Sequence, residues 1–335
     1  MKKKYKICTI GGDGVGPEVL ECAIRLLKIL PLKFDFVEAS AGYDAYKIFG
    51  TPLPDSTIRC CKDSDAILFG AVTTPPNIDG YFSPIVALRK QLNLYANLRP
   101  VFSLPIGGIY KDVDLIIVRE NTEDLYANIE RKIEGGAVTE RWITRKASEK
   151  IIRFAFELAV KQSRKKVTLV HKANVMRLTD GLFLSIGEEI AKKYPQIIFE
   201  DMLVDSCAMR LIKNHQDFDV IVTTNMFGDI LSDLVAGLVG GLGVVASANI
   251  GEKIALFEPV HGSAPKYTNK NFVNPSAMFF ATAMMLKWLG EMKFARNICD
   301  SVLTTIESGK RTADLGGKLG TEEFTKEVIA NLKIK

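Results

Sequence analysis

In "NMFGDILSDLVAGL", Asp229 and Asp233 stand four residues apart. On a helix that spacing projects both carboxylates from one face. Exposed like charges so placed repel by roughly a few tenths of a kcal/mol. A hard divalent cation removes the repulsion and accepts oxygen ligands, so the pair can hold Mg2+ or Mn2+. Alone, such a pair is more often two solvated carboxylates. Here Asp205, in "LVDSCAM", follows a separate strand-like run and offers a third carboxylate. Lys172, in "VHKANVMRLTDG", stands at the exit of another strand, beside His171 and Asn174. Strand ends are where α/β proteins place reactive groups, and a lysine drawn out of water beside a cation can serve as a base. A plain surface lysine is the equal alternative. Arg89 in "VALRKQL", Arg99 in "YANLRPV" and Arg119 in "IIVRENTEDLY" each read as sitting at the edge of an element, and Tyr126 closes the last motif. Guanidinium forks grip carboxylates in bidentate fashion, so three that converge suit a substrate with two or three carboxylates.

The segment "IGGDGVGPEVLECAIRLL" invites comparison with a dinucleotide-binding turn. That turn needs G-x-G-x-x-G opening into the helix. Gly12, Gly14 and Gly16 give G-x-G-x-G, with Pro17 suited to the first helical turn. Only Glu38 stands near the place of the ribose-binding acid. The spacing argues against a Rossmann site.

These residues need a frame. Strand-like runs alternate with helical ones: "KYKICTI" then 17–30, "KFDFVEA" then "GYDAYKIFG", "DAILFGA" then "SPIVALRKQLNL". "VDLIIVREN" precedes "RKASEKIIRFAFELAVKQSR", whose apolar residues follow a helical stripe. "KKVTLVHKAN", "IIFEDMLVDS" and "DFDVIVTTNMFGD" are further strands, each followed by a helix. The alternation predicts an α/β fold with a largely parallel sheet. Residues 128–145 break it and read as a β-hairpin around Gly135 and Gly136 with an exposed Trp142, able to pair with another subunit.

The bulk numbers exclude more than they assign. At 335 residues and 25% charged, the chain is long enough for two domains. No apolar run approaches the roughly 18 residues of a membrane span. "MKKKYKICTIGG" reads as a first strand with a basic lead-in rather than a secretory signal. The six cysteines show neither metal-ligand spacing nor a disulfide framework, which predicts a reduced, cytoplasmic protein. A net charge of +5 is too mild to argue for nucleic acid.

Taken together, "GGDGVGPEV", "ALRKQLNLYANLRP", "VRENTEDLY", "HKANVMRLTDGLF", "NMFGDILSD", "ANIG", "LFEPVHGSAP" and "DLGG" resemble, in order and along the whole chain, the metal-dependent β-decarboxylating dehydrogenases. These are the isocitrate, homoisocitrate and 3-isopropylmalate dehydrogenases. The resemblance implies an isopropylmalate dehydrogenase-like, non-Rossmann, two-domain fold with a hairpin dimer arm at 128–145. It implies a cofactor-binding large domain of 1–97 plus 240–335 and a dimerisation and metal domain of 98–239. Tyr126 and Lys172 match the catalytic pair, with Lys172 reaching the neighbouring subunit's site. Asp229, Asp233 and a partner chain's Asp205 match the ligands of Mg2+ or Mn2+. Ser83, Arg89, Arg99, Arg119 and Asn174 match the substrate contacts. Thr73, Thr74, Glu258, His261, Gly262, Ser263, Ala264, Pro265, Lys266, Tyr267 and Asn274 match the cofactor site, and "GGDGVG" only lines it. The active unit is then a homodimer or a higher homo-oligomer acting on a small molecule, with neither nucleic acid nor membrane as partner.

Within this resemblance, the isopropylmalate enzymes carry an acidic residue before the arginine helix, where this chain has Phe82 and Ser83. Without that charge a third substrate carboxylate can enter. Ser83 matches the serine of isocitrate enzymes, but their asparagine two residues on is Ile85 here. Homoisocitrate and isocitrate therefore rank above 3-isopropylmalate. "HGSAPKY" has Lys266 and Tyr267 where NAD-dependent members have Asp-Ile, which favours NADP with NAD as the alternative. The tyrosine and arginine that NADP enzymes add are matched by Ala313 and Gly317, so half of that phosphate pocket is present. A tartrate/malate-type dehydrogenase and a non-catalytic regulatory subunit are the rival expectations. The full catalytic and metal set opposes the second.

Overall fold

The computed structural model describes residues 4–75, 78, 80–106 and 110–334. The chain divides into two compact units. One comprises Met1–Leu92, Leu104–Ile109 and Gly240–Lys335; the other comprises Asn93–Ser103 and Tyr110–Val239.

In the first unit five strands lie in the order Lys33–Glu38, Lys4–Gly12, Ala66–Ala71, Ala255–Pro259, Ala246–Ile250. The first four are parallel and the last is antiparallel to its neighbour. The strand Ala66–Ala71 is buried at every residue, as expected of a parallel strand covered on both faces. The helix Gly16–Ile29 covers it with Val19, Ala23, Leu26 and Leu27, and the helix Ser276–Trp288 is buried along almost its whole length.

In the second unit the order is Ala96–Phe102, Asp114–Glu120, Val220–Thr223, Lys166–His171, Ile198–Leu203. The first pair is antiparallel and the rest are parallel. The largely parallel sheet expected from the alternation is thus joined by one antiparallel pair in each unit. The stretch between Phe102 and Asp114 carries no described helix, whereas a parallel return needs a crossover of a dozen or more residues, usually helical. The hairpin pairs Glu130–Ile133 with Gly136–Thr139, turning at Gly135 with φ 71. Its strands are exposed apart from Val138, and Trp142 beyond it is 49% exposed.

Candidate active site

Register places the two central arginines. Arg119 pairs across the antiparallel ladder with Asn97. Directly opposed residues share a face, and so do residues two apart on one strand. Arg99, Asn97 and Arg119 therefore project together. Arg99 is the fourth of seven residues in its strand, so the expectation that it stands at an edge is corrected. Position on the face, and not the strand end, brings it to the site.

The helix Asn225–Val239 lies on that face and buries Asn225, Gly228, Ser232 and Val235. Asn225 accepts from Arg119 Nε at 3.0 Å and Nη2 at 2.7 Å. Ser232 accepts from Arg99, which also donates to Asn97 at 2.7 Å. Asp229 takes both guanidinium groups, Arg119 most closely and Arg99 at 3.3 Å. Asp233 lies 3.5 Å from Arg99. Gly228 makes the close approach feasible, since a Cβ there would stand 2.5 Å from Arg119 Cγ.

Tyr126 sits in a 3-10 turn, Leu125–Ala127, and its phenol donates to Asp229 Oδ2 at 2.6 Å. The Arg119 guanidinium lies 5.0 Å from its ring centroid. Burial raises the Tyr126 pKa; the Asp229 carboxylate acts in the same direction and Arg119 against it. The phenol is thus kept protonated. Burial also raises the Asp233 carboxyl, with Asp229 adding and Arg99 opposing.

The arginines are sunk beneath the site while the Asp229 and Asp233 side chains remain 37% and 53% exposed. Two carboxylates on successive helical turns, open on one side, are a donor set for a hard cation. Among the described residues, no group of three or more histidine, cysteine or acidic side chains is disposed to hold a metal. Asp205 stands elsewhere, in the first turn of the helix Val204–Lys213, and accepts from Lys172 Nζ at 2.5 Å. That contact lowers the Asp205 pKa. Asn174 is exposed in the turn that follows Lys172.

The remaining candidates lie in the first unit. Arg89, in the last turn of the helix Pro84–Gln91, donates to Glu258 at 3.1 Å, and its buried Nε has no hydrogen-bond partner among the described residues. Ser83 occupies the N-cap position of that helix, yet its side chain caps nothing. Glu258 therefore neutralises a guanidinium here and also accepts from Asn249 at 2.7 Å.

The glycine-rich loop is tied to the "HGSAP" loop. Val15 N–H donates to Ser263 O at 2.9 Å, and a Cβ on Gly14 (φ 61) would collide with that carbonyl. Thr73 Oγ1 lies 2.7 Å from Ser263 Oγ, and Thr74 beside it is exposed. Sequence reasoning passed over Asp13, the fixed point of this assembly. Asp13 is buried and accepts backbone N–H groups from Thr73, Tyr43 and Asp44 at 2.7–2.9 Å. Its signal was an aspartate inside a glycine turn, a residue suited to binding nearby backbone.

His261 contacts the Gly262 carbonyl at 2.9 Å and burial lowers its pKa. Ala264 adopts a left-handed φ of 38 before the short turn Pro265–Tyr267. Lys266 on that turn is exposed and makes no ion pair among the described residues. Tyr267 stacks on Phe272 with ring centroids 5.0 Å apart. Buried Asn274 donates to Asp314 at 3.0 Å. A free cation beside an aromatic ring fits a phosphate-bearing cofactor.

Comparison with known proteins gives a consistent picture. The profile of the family described as isocitrate/isopropylmalate dehydrogenase matches residues 6–328. An isocitrate/homoisocitrate dehydrogenase of Thermus thermophilus is 48% identical over 98% of this chain and 99% of its own length. A 3-isopropylmalate dehydrogenase of Methanothermobacter thermautotrophicus is 49% identical over 99% of each. The crystal structure of an isocitrate dehydrogenase from Methylococcus capsulatus superposes with a TM-score of 0.95 at 47% identity, covering 98% of this chain and 99% of that one.

Proposed function

The chain belongs to the isocitrate/isopropylmalate dehydrogenase family, and from that membership we propose that it oxidatively β-decarboxylates a tricarboxylate, homoisocitrate or isocitrate, reducing NADP in preference to NAD. The observation that carries the reading is the joining of Tyr126, Arg119, Arg99 and Asp233 around Asp229. An acid, two carboxylate grips and a cation-binding pair are what the reaction needs in one place.

Asp229 and Asp233 would hold the cation, and Asp205 of a second copy of this chain would complete the set. When bound, the cation supplies a Lewis acid for the α-hydroxyl and the nicotinamide supplies the hydride acceptor. Arg99 and Arg119 hold the substrate carboxylates, Arg119 the one that departs. Arg89, whose buried Nε has no hydrogen-bond partner among the described residues, takes a third. Lys172 of the partner subunit takes the hydroxyl proton as hydride leaves C2. The β-keto acid then loses CO2, and the electron pair left on C3 takes a proton from Tyr126, whose raised pKa keeps that proton in place.

Substrate choice rests on Ser83. Phe82 and Ser83, neither of them acidic, stand immediately before the arginine helix, and the Ser83 hydroxyl makes no cap hydrogen bond among the described residues, which leaves it for a substrate carboxylate. The second reading is 3-isopropylmalate, favoured by the 49% identity of a relative with that name. Lys266 supports NADP through its unpaired charge. Six free cysteines fit a reducing compartment such as the cytoplasm. Among the described residues no helix is long and apolar enough to cross a membrane. Initial rates with isocitrate, homoisocitrate and 3-isopropylmalate, each with NAD and NADP and Mg2+ or Mn2+, test the reading. Turnover confined to 3-isopropylmalate overturns the substrate, and no turnover with any pair overturns the function.

A further inference from the structure

Asp124 and Asp180 are both fully buried carboxylates in the second unit. Buried charges persist only when paired and hydrogen-bonded. One side chain serves both. Arg141 Nε donates to Asp124 Oδ1 at 2.6 Å, and its Nη1 pairs with Asp180. The remaining arm of the fork, Nη2, donates to Thr224 Oγ1 at 3.0 Å, and the guanidinium lies 5.2 Å from the Phe227 ring centroid.

Each of these partners is one bond from the machinery proposed above. Asp124 precedes the turn that carries Tyr126 and sits at a left-handed φ of 71, a conformation that persists only where its surroundings impose it. Its carboxylate also accepts from the backbone N–H groups of Leu125 and Met226, each at 2.9 Å. Met226 belongs to the first turn of the helix bearing Asp229 and Asp233. Asp180 Oδ2 accepts from the backbone N–H of Lys172 at 2.6 Å. A single planar fork therefore sets the Tyr126 turn, the backbone of Lys172 and the start of the metal helix. Arg141 also leaves the hairpin: Glu140 N–H donates to Ile129 O at 2.9 Å, and Asp124 N–H to Trp142 O at 2.8 Å.

We propose that Arg141 is a positioning residue for the decarboxylating chemistry, coupling the base of the hairpin to Tyr126, which acts in this chain's own site, and to Lys172, which acts in the site of a second copy. The role rests on the functional reading above. A lysine at this position keeps the charge but cannot span both carboxylates and Thr224 in one plane. The charge alone would serve the fold; the fork serves the geometry of the site.

The test compares wild type, Arg141→Lys and Arg141→Ala for kcat, KM and thermal unfolding, with and without millimolar guanidinium. Displacement of catalytic groups by about 1 Å costs on the order of a hundredfold, so kcat is expected to fall at least tenfold in both variants. KM for the hydroxy acid should stay within about threefold, because Arg99 and Arg119 keep their own partners. Guanidinium should restore part of the lost kcat in Arg141→Ala and do nothing for wild type. Should the alanine variant not fold, the lysine variant decides. Unchanged kcat in Arg141→Lys, or a loss that only tracks the unfolded fraction, overturns the role while the functional reading stands. A wild type inert toward every 2-hydroxy-3-carboxy acid overturns that reading and the role with it.

Discussion

The Tyr126 phenol donates to one carboxylate oxygen of Asp229 at 2.6 Å while the other oxygen takes Arg119. One carboxylate thus holds both the proposed proton donor and the proposed grip on the departing group. Tyr126→Phe removes the proton and keeps the ring against Arg119. General acid–base groups contribute roughly 10²–10⁴-fold, so kcat should fall by that order with little change in cation dependence. Steady-state rates across a Mg2+ titration measure it. A fall below threefold would exclude Tyr126 as the proton donor.

Gly228 admits the Arg119 side chain onto its helix. A Cβ at 228 would meet Arg119 Cβ and Cγ at 2.6 and 2.5 Å, the inflexible end of that side chain. Gly228→Ala must displace either the helix or the arginine. The expected result is a fall in kcat/KM of at least about tenfold, with a lower Tm, since misplacement of that size is costly in both packing and catalysis. Retention of wild-type kcat/KM would show that Arg119 does not grip the substrate.

Lys172 and Asp205 form their own pair, 2.5 Å apart. If they complete the site of a second copy, an inactive Lys172→Met chain mixed with an inactive Tyr126→Phe chain should regain part of the activity, because one of the two sites in a mixed dimer is intact. Subunit exchange is followed independently with a mass tag. Proven exchange without recovery rules out shared sites.

How much of this was legible in sequence divides along a physical line. Asp229 and Asp233 were readable because helical period is local, and the alternating elements because hydrophobic period is local. The face shared by Asn225, Asp229 and Ser232 carried the same signal and was missed. Strand direction is not local: the segments Ala96–Phe102 and Ala246–Ile250 escaped notice, the first because Pro100 interrupts its pattern. Arg141 gave no signal at all. Its partners stand 17 and 39 residues away, and only the tertiary fold brings them together.

Glu123 offers a pH-dependent handle on the same region. Its carboxylate accepts both the backbone N–H and the hydroxyl of Thr144 at 2.8 Å, at the start of the helix Arg145–Lys161. Burial nevertheless pushes its pKa up to about 7, with Glu120 and Asp124 adding. Since the unfolded value is about 4.3, the folded state binds more protons between those limits. Glu123 therefore contributes stability that is full below about pH 4.3 and is lost as pH rises through about 7. Glu123→Gln keeps an acceptor for Thr144 and cannot ionise. Its Tm relative to wild type should rise across that window, and a difference that stays flat with pH would contradict the shift.

The cofactor assignment rests on Lys266, exposed on the turn Pro265–Tyr267 beside the Tyr267–Phe272 stack. NADP and NAD differ only in the 2′-phosphate, so discrimination must come from groups that touch it. A charge-assisted contact contributes roughly 1.5–3 kcal/mol. Lys266→Asp with Tyr267→Ile replaces attraction by repulsion and supplies an acceptor for the free ribose hydroxyl. The kcat/KM with NADP should fall at least about tenfold, since ~1.4 kcal/mol is a factor of ten. That with NAD should hold or rise. Both residues are exposed on a short loop, so the double variant is expected to unfold at the wild-type temperature, which separates a change of preference from a loss of fold. An unchanged ratio of NADP to NAD efficiency would place recognition of the phosphate on other residues. The proposed substrate and cation sites, which use Arg99, Arg119, Asp229 and Asp233, would stand untouched by that result.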